Sequence, residues 1–219
     1  MDGAEFRQAG HYLVDFLADY FDQAGDHRVF QDVDPDLLER IFDEPLPQEG
    51  RDMAEVMREL EKKLLPYCTN VNHPGYFGLI TPTPTPAGVL GDFMASALNQ
   101  NPGAYSIGPS AVEMEKRTVR WLNDLVGYGE EAGGNLTSGG MMANFIGIKL
   151  GRDAISGNDI QHTGIRDRWA MYVSEERHVS VDKAVDAVGI GRQGLRKLPT
   201  DDHFRLKIDA LENAIGDDR

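Results

Sequence analysis

At 219 residues, with 41% apolar and 26% charged side chains, the chain has the makeup of a globular protein long enough to bury a core. A formal net charge of -14 repels polyanions at long range, which excludes nucleic acid and anionic membrane surfaces as partners. Cys68 is the single cysteine, so an internal disulfide and a thiolate metal cluster are excluded too. No apolar run reaches the length of a membrane span, and Asp2, Glu5 and Arg7 stand where a signal peptide would be apolar, so a soluble cytoplasmic protein is expected.

Residues 4–24 place Phe6, Leu13, Phe16, Leu17, Tyr20 and Phe21 on one side at helical spacing, which predicts an amphipathic helix ended by Gly25. Asp34 and Pro35 offer an N-cap and a first-turn proline for a short helix through Phe42. A third helix is predicted over residues 52–65, with Met53, Val56, Met57, Leu60 and Leu64 apolar, closing before Pro66. These broad apolar faces are expected to pack on something besides one another, either a subunit partner or the rest of the chain. Four prolines make residues 70–86 a stiff extended loop, which suits either the wall of a site or a surface connector. A helix over 89–99 follows, then one from Pro109 that buries Val112, Val119, Leu122, Leu125 and Val126 and pairs Glu113 with Arg117.

Residues 133–144 read GGNLTSGGMMAN: a β-prone run over 135–137, a glycine turn, and a helix to about Arg152. The first amides of a helix lack intrahelical acceptors and sit at the positive end of its dipole, so Gly140 and Met141 could hold an anion by backbone alone. An ordinary tight strand-to-helix connection has the same pattern. Residues 157–168 read as loop, 169–174 as a strand, 180–188 as a helix with Val181, Ala184, Val185 and Val188 inward, 195–198 as a strand and 208–215 as a helix. This alternation predicts an α/β layer with a mainly parallel sheet, whose ligands sit beyond the strand ends. Gly189, Gly191 and Gly194 match a dinucleotide-binding spacing but follow a helix and precede a strand, so they read as a helix stop and loop. No histidine spacing fits a catalytic metal. His178 falls at a strand-to-helix junction with Ser180 as a candidate N-cap, where an imidazole could stack on a planar ligand, exchange a proton with it, or simply lie exposed.

Five stretches in order, EFRQAGHYLVDFLADY from Glu5, HPGYFG from His73, GPSAVEMEKRTVRWL from Gly108, TSGGMMAN from Thr137 and SEERHVSVDKA from Ser174, make the chain similar to the N-terminal half of the group II pyridoxal-phosphate-dependent decarboxylases. The opening stretch resembles the aromatic-L-amino-acid decarboxylase branch. The resemblance implies an N-terminal helical dimerisation segment over residues 1–72, then over 73–219 the first part of a fold-type I large domain, a mainly parallel sheet flanked by helices. It implies pyridoxal 5'-phosphate as cofactor, a small-molecule amino-acid substrate and a homodimer. It makes His178 the catalytic histidine that stacks on the cofactor ring, Gly139, Gly140 and Met141 the phosphate-holding turn, and Ile80, Thr81 and Pro82 part of a substrate-side loop. Met141 stands where relatives commonly carry Thr or Ser, which leaves the phosphate contact to backbone. Relatives also carry a cofactor-bonding lysine and a ring-pairing aspartate in later strands; no lysine here has that context, so a truncated chain, inactive alone, is expected. Another fold-type I lyase, or a non-catalytic dimerisation or interaction fragment, are the alternatives.

Overall fold

Aspartate side chains set the starts of the first three helices. In the computed structural model, which describes residues 1–156 and 159–219, Asp2 and Glu5 form a reciprocal capping box on α1 (Gly3–Asp22). Asp34 accepts from the Asp36 amide to open α2 (Pro35–Phe42), and Asp52 from the Glu55 amide to open α3 (Met53–Lys63). A 3₁₀ turn, Leu65–Tyr67, carries the chain through Pro66. Thr85 caps α4 (Pro86–Leu98), which therefore begins three residues before the expected helix, because Pro86 fits the first helical position that needs no N–H donor. The chain divides into two units, Met1–Asn99 and Gln100–Arg219.

Within the first unit, α1 packs on α3, with Tyr12, Leu13 and Phe16 facing Met57, Leu60 and Leu64 across a cavity of about 140 Å³. Asn70 is buried and ties the segment after α1 in place, donating to the Ala24 carbonyl at 2.8 Å while its own amide donates to the Val29 carbonyl at 2.8 Å. No residue of α1, α3 or α4 is fully buried.

In the second unit, α5 (Pro109–Val126) and α6 (Gly140–Ile155) precede a short α7 (Ile160–Thr163), which lies inside the stretch expected to be loop. Gly157 and Asn158 of that stretch lie outside the described residues. Strand β1 (Met171–Ser174) pairs parallel to β2 (Leu195–Leu198), Met171 against Leu195, with α8 (Ser180–Ala187) as the crossover between them and α9 (Ile208–Asp217) after. The core of the unit gathers Val185, Ala184, Val188, Leu195, Leu198 and Ile160. Burying a side chain the size of Val185 contributes about 1.5–3 kcal/mol. Near the end of α6, buried Asp153 is held by Lys149 and by Arg152 at 2.7 Å, and Arg152 also donates to the Val188 carbonyl at 2.5 Å, locking α6 to the end of α8. The helix-rich chain with a small parallel sheet fits the expected first part of an α/β fold.

Four expectations need correction. Residues 135–137 form no strand, because nothing pairs with them; the Leu136 amide donates instead to Glu115 at 2.8 Å. On α5, Leu122, Leu125 and Val126 are exposed and Asn123 is the buried residue, since periodicity identifies an apolar face but not what covers it. Glu113 pairs with Lys116 at 2.8 Å, one step nearer than Arg117. Ser180 is the first residue of α8 rather than its N-cap, and its hydroxyl bonds Asn144 and His178 instead of capping the helix. The glycines at 189, 191 and 194 do lie in a loop and 3₁₀ turn ahead of β2.

Candidate functional site

Helix α6 begins without a side-chain cap, because its N-cap residue is Gly139. Its first-turn amides therefore keep their donors available, at the positive end of a helix of 16 residues. Gly139 has φ 156° and ψ 170°, a backbone that side-chain-bearing residues rarely adopt, and a Cβ placed at Gly140 would meet nothing within 4 Å. Beside this turn lies a cavity of about 440 Å³ lined by Ser138, Gly139, Met141, Met142, Phe145 and, from α8, Lys183 with its neighbours. The wall is largely apolar, with one cation. Gly140 and His178 do not line it.

His178 lies in the turn between β1 and α8, exposed to solvent. That turn is fixed from both sides. The β1–β2 ladder runs on through the Glu175 amide to the Leu198 carbonyl at 2.9 Å, and the Glu175 carboxylate accepts from the Thr200 amide at 2.9 Å. Arg177 grips Asp182 with two hydrogen bonds of 2.8 and 3.0 Å and donates to the Glu175 carbonyl at 2.9 Å. Lys197 of β2 adds a second cation to Asp182 at 3.0 Å. The Arg177 guanidinium, and then the Lys197 ammonium, hold the Asp182 carboxyl down to about 2 from an ordinary 3.8.

The two expected pieces meet through Asn144 and Ser180; sequence reasoning offered Ser180 only as an N-cap and gave Asn144 no role of its own. Asn144 of α6 donates from Nδ2 to Ser180 Oγ at 2.7 Å, and Ser180 Oγ lies 2.8 Å from His178 Nδ1. Asn144 stands about one helical turn, roughly 6 Å, beyond Gly140, so the uncapped helix start and the imidazole turn belong to one locus. Lys183 falls within the helix expected over 180–188. Its position on the cavity was hidden because the facing wall comes from α6, far off in sequence. Ile80, Thr81 and Pro82 lie in the first unit, in an exposed stretch between the 3₁₀ turn and α4. Among the described residues no cluster of His, Cys, Asp and Glu could hold a metal ion, and no helix is long and apolar enough to cross a membrane.

Comparison with known proteins gives this geometry a context. An aromatic-L-amino-acid decarboxylase of Bacillus atrophaeus is 31% identical over 219 residues, all of this chain and 44% of that protein. A phenylacetaldehyde synthase of Petunia hybrida is 28% identical, again over all of this chain and 44% of its own length. The structure of Oryza sativa TDC with PLP and tryptamine superposes with a TM-score of 0.84 at 25% identity, covering 100% of this chain and 49% of that one. The chain thus spans about half the length of the relatives it matches. The model of the pyridoxal-dependent decarboxylase conserved domain matches residues 35–219, most of the chain, and the chain belongs to that family.

Proposed function

We propose that this chain supplies the phosphate-holding and ring-stacking half of a pyridoxal-phosphate-dependent amino-acid decarboxylase of the aromatic type. The observation that carries the reading is the Asn144–Ser180 hydrogen bond, which joins the uncapped start of α6 to the His178 turn. The residues present suit the group. Free first-turn amides at Gly140, Met141 and Met142 match a phosphate dianion, and the open space over Gly140 leaves its oxygens room for close approach. An exposed imidazole held at one ring nitrogen presents a flat face to a pyridine ring. Bound there, pyridoxal phosphate supplies an electron sink that lets an amino acid lose its α-carboxylate as carbon dioxide. The chain's own work would be positional: backbone amides would hold the phosphate, His178 would orient the ring, and the apolar wall of Met141, Met142 and Phe145 would exclude water.

The aromatic assignment rests on the opening stretch from Glu5 to Tyr20 and on the kind of relative that matches along the whole chain. Ile80, Thr81 and Pro82 are assigned to the substrate side, and residues 1–72 to contact with a second subunit in a homodimer. The test has two arms. Equilibrium dialysis and the visible absorbance of added pyridoxal phosphate should report binding to the 219-residue chain without carbon dioxide release. A chain of family length carrying this sequence should release carbon dioxide and the matching amine from aromatic amino acids. No cofactor binding in either chain refutes the reading; aldehyde in place of amine moves it to the chemistry for which the Petunia relative is named.

A further inference from the structure

His178 Nδ1 has two neighbours that decide its chemistry. The Ser180 amide nitrogen lies 3.2 Å away and can only donate, so Nδ1 must accept. This amide is the first of α8, left without an intrahelical acceptor, so the imidazole closes a helix end that has no side-chain cap from its own N-cap residue. Ser180 Oγ lies 2.8 Å from the same nitrogen. Asn144 Nδ2 donates to that oxygen at 2.7 Å, which occupies a hydroxyl lone pair and leaves the hydroxyl proton for Nδ1. Ser180 is fully buried, at 0% exposure, so water does not compete for its hydroxyl. Nε2 makes no hydrogen bond among the described residues and is the nitrogen left to face a ligand.

We infer that Ser180 and Asn144 are positioning residues that act through His178: together they hold its ring by Nδ1 and place the proton of the neutral imidazole on Nε2, so that the histidine presents a fixed N–H donor rather than a lone pair to whatever occupies the site. The relay runs Asn144 Nδ2–H to Ser180 Oγ, Ser180 Oγ–H to His178 Nδ1, with the Ser180 amide as a second donor to the same atom. Its functional meaning rests on the proposed cofactor site; its geometry does not. A ring able to swap tautomers would offer a donor only part of the time. A ring held at one nitrogen also loses the rotation that would spoil face-to-face contact.

The test is spectroscopic and needs no cofactor. In the full chain labelled with ¹⁵N-histidine, two- and three-bond ¹⁵N–¹H correlations give the tautomer of each of the six histidines, with His178→Gln identifying the signal. The wild type should show the Nε2–H pattern for His178. Ser180→Ala removes one hydrogen bond to Nδ1 and should lower the ratio of the two tautomers about threefold to tenfold; Ser180→Thr, which keeps a hydroxyl, should restore it. Because a change at fully buried Ser180 can also disturb packing, Asn144→Asp is the second variant. It is nearly isosteric at an exposed position, but its carboxylate accepts only, so it takes the Ser180 hydroxyl proton and should reproduce the Ser180→Ala spectrum. An Nδ1–H pattern in the wild type, or an Asn144→Asp spectrum unchanged from wild type, overturns the relay. Pyridoxal phosphate absorbance in the same samples separates the two ideas: binding with the wrong tautomer overturns the relay alone, and the right tautomer without binding supports the relay while refuting the proposed function.

Discussion

At Gly139 and Gly140, two adjacent glycines answer to different constraints. The backbone of Gly139 is one that side-chain-bearing residues rarely adopt, so Gly139→Ala should cost about 1–3 kcal/mol of folding stability, read as a lower Tm or denaturant midpoint. Gly140 has open space where a Cβ would go, so Gly140→Val should leave Tm nearly unchanged while weakening pyridoxal phosphate binding about tenfold or more, measured by dialysis. Equal loss of stability in both would place the glycines in the fold rather than the site. His178→Ala in a chain of family length should lower turnover about a hundredfold or more. Cofactor affinity should change less, since a ring-on-ring contact is worth only about 0.5–1.5 kcal/mol. The placement of the glycine turn at a helix start and of His178 between a strand and a helix was legible, because both follow from local pattern. The bond between Asn144 and Ser180 was not, because an amide and a hydroxyl on separate helices are ordinary until packing brings them together.

At the scale of the element, the turn from β1 to α8 depends on Asp182. Its carboxyl titrates near 2 in the folded chain and near 3.8 when unpaired, because Arg177 first and Lys197 second favour the charged form. A depressed folded value means that the stabilisation is complete above about pH 4 and is lost as pH falls toward 2. The expected outcome is a Tm that drops between pH 4 and pH 2 in the wild type and drops less steeply in Asp182→Asn, which starts lower. Parallel curves would show that Asp182 does not contribute. Helices were well predicted at this scale, since Asp34 with Pro35 and Asp52 are local signals that act within one turn. The strand expected at 135–137 failed for the opposite reason. A strand exists only when a neighbour supplies its hydrogen bonds, and no local residue pattern records whether one does.

Over the whole molecule, large apolar residues stay exposed on α1, α4 and α5, among them Phe6, Phe93, Met94, Trp121 and Leu125. Isolated exposed apolar residues are normal, but several on one helix face mark surfaces that are covered in an assembly. With residues 1–72 assigned to a second subunit, a chain of family length should sediment as a dimer, and removal of residues 1–66 should leave aggregated protein. A soluble, well-folded monomer from that deletion would refute the assignment. The apolar faces were readable from helical spacing; the partner of each face was not, because the same spacing serves a core and an interface.

The parallel pair of β1 and β2 carries a consequence for what can join the sheet. The two strands and the crossover helix between them are consecutive in the chain, so one continuous segment supplies all three elements. Val185 and Ala184 seal the helix onto the strands, so the segment holds together through its own side chains. Once formed, it has an open side on each strand among the described residues, a row of backbone donors and acceptors about 13 Å long. A strand of either direction could pair along those open sides, while the turn bearing His178 is already held from within, by the Glu175 amide on Leu198 and the Glu175 carboxylate on Thr200.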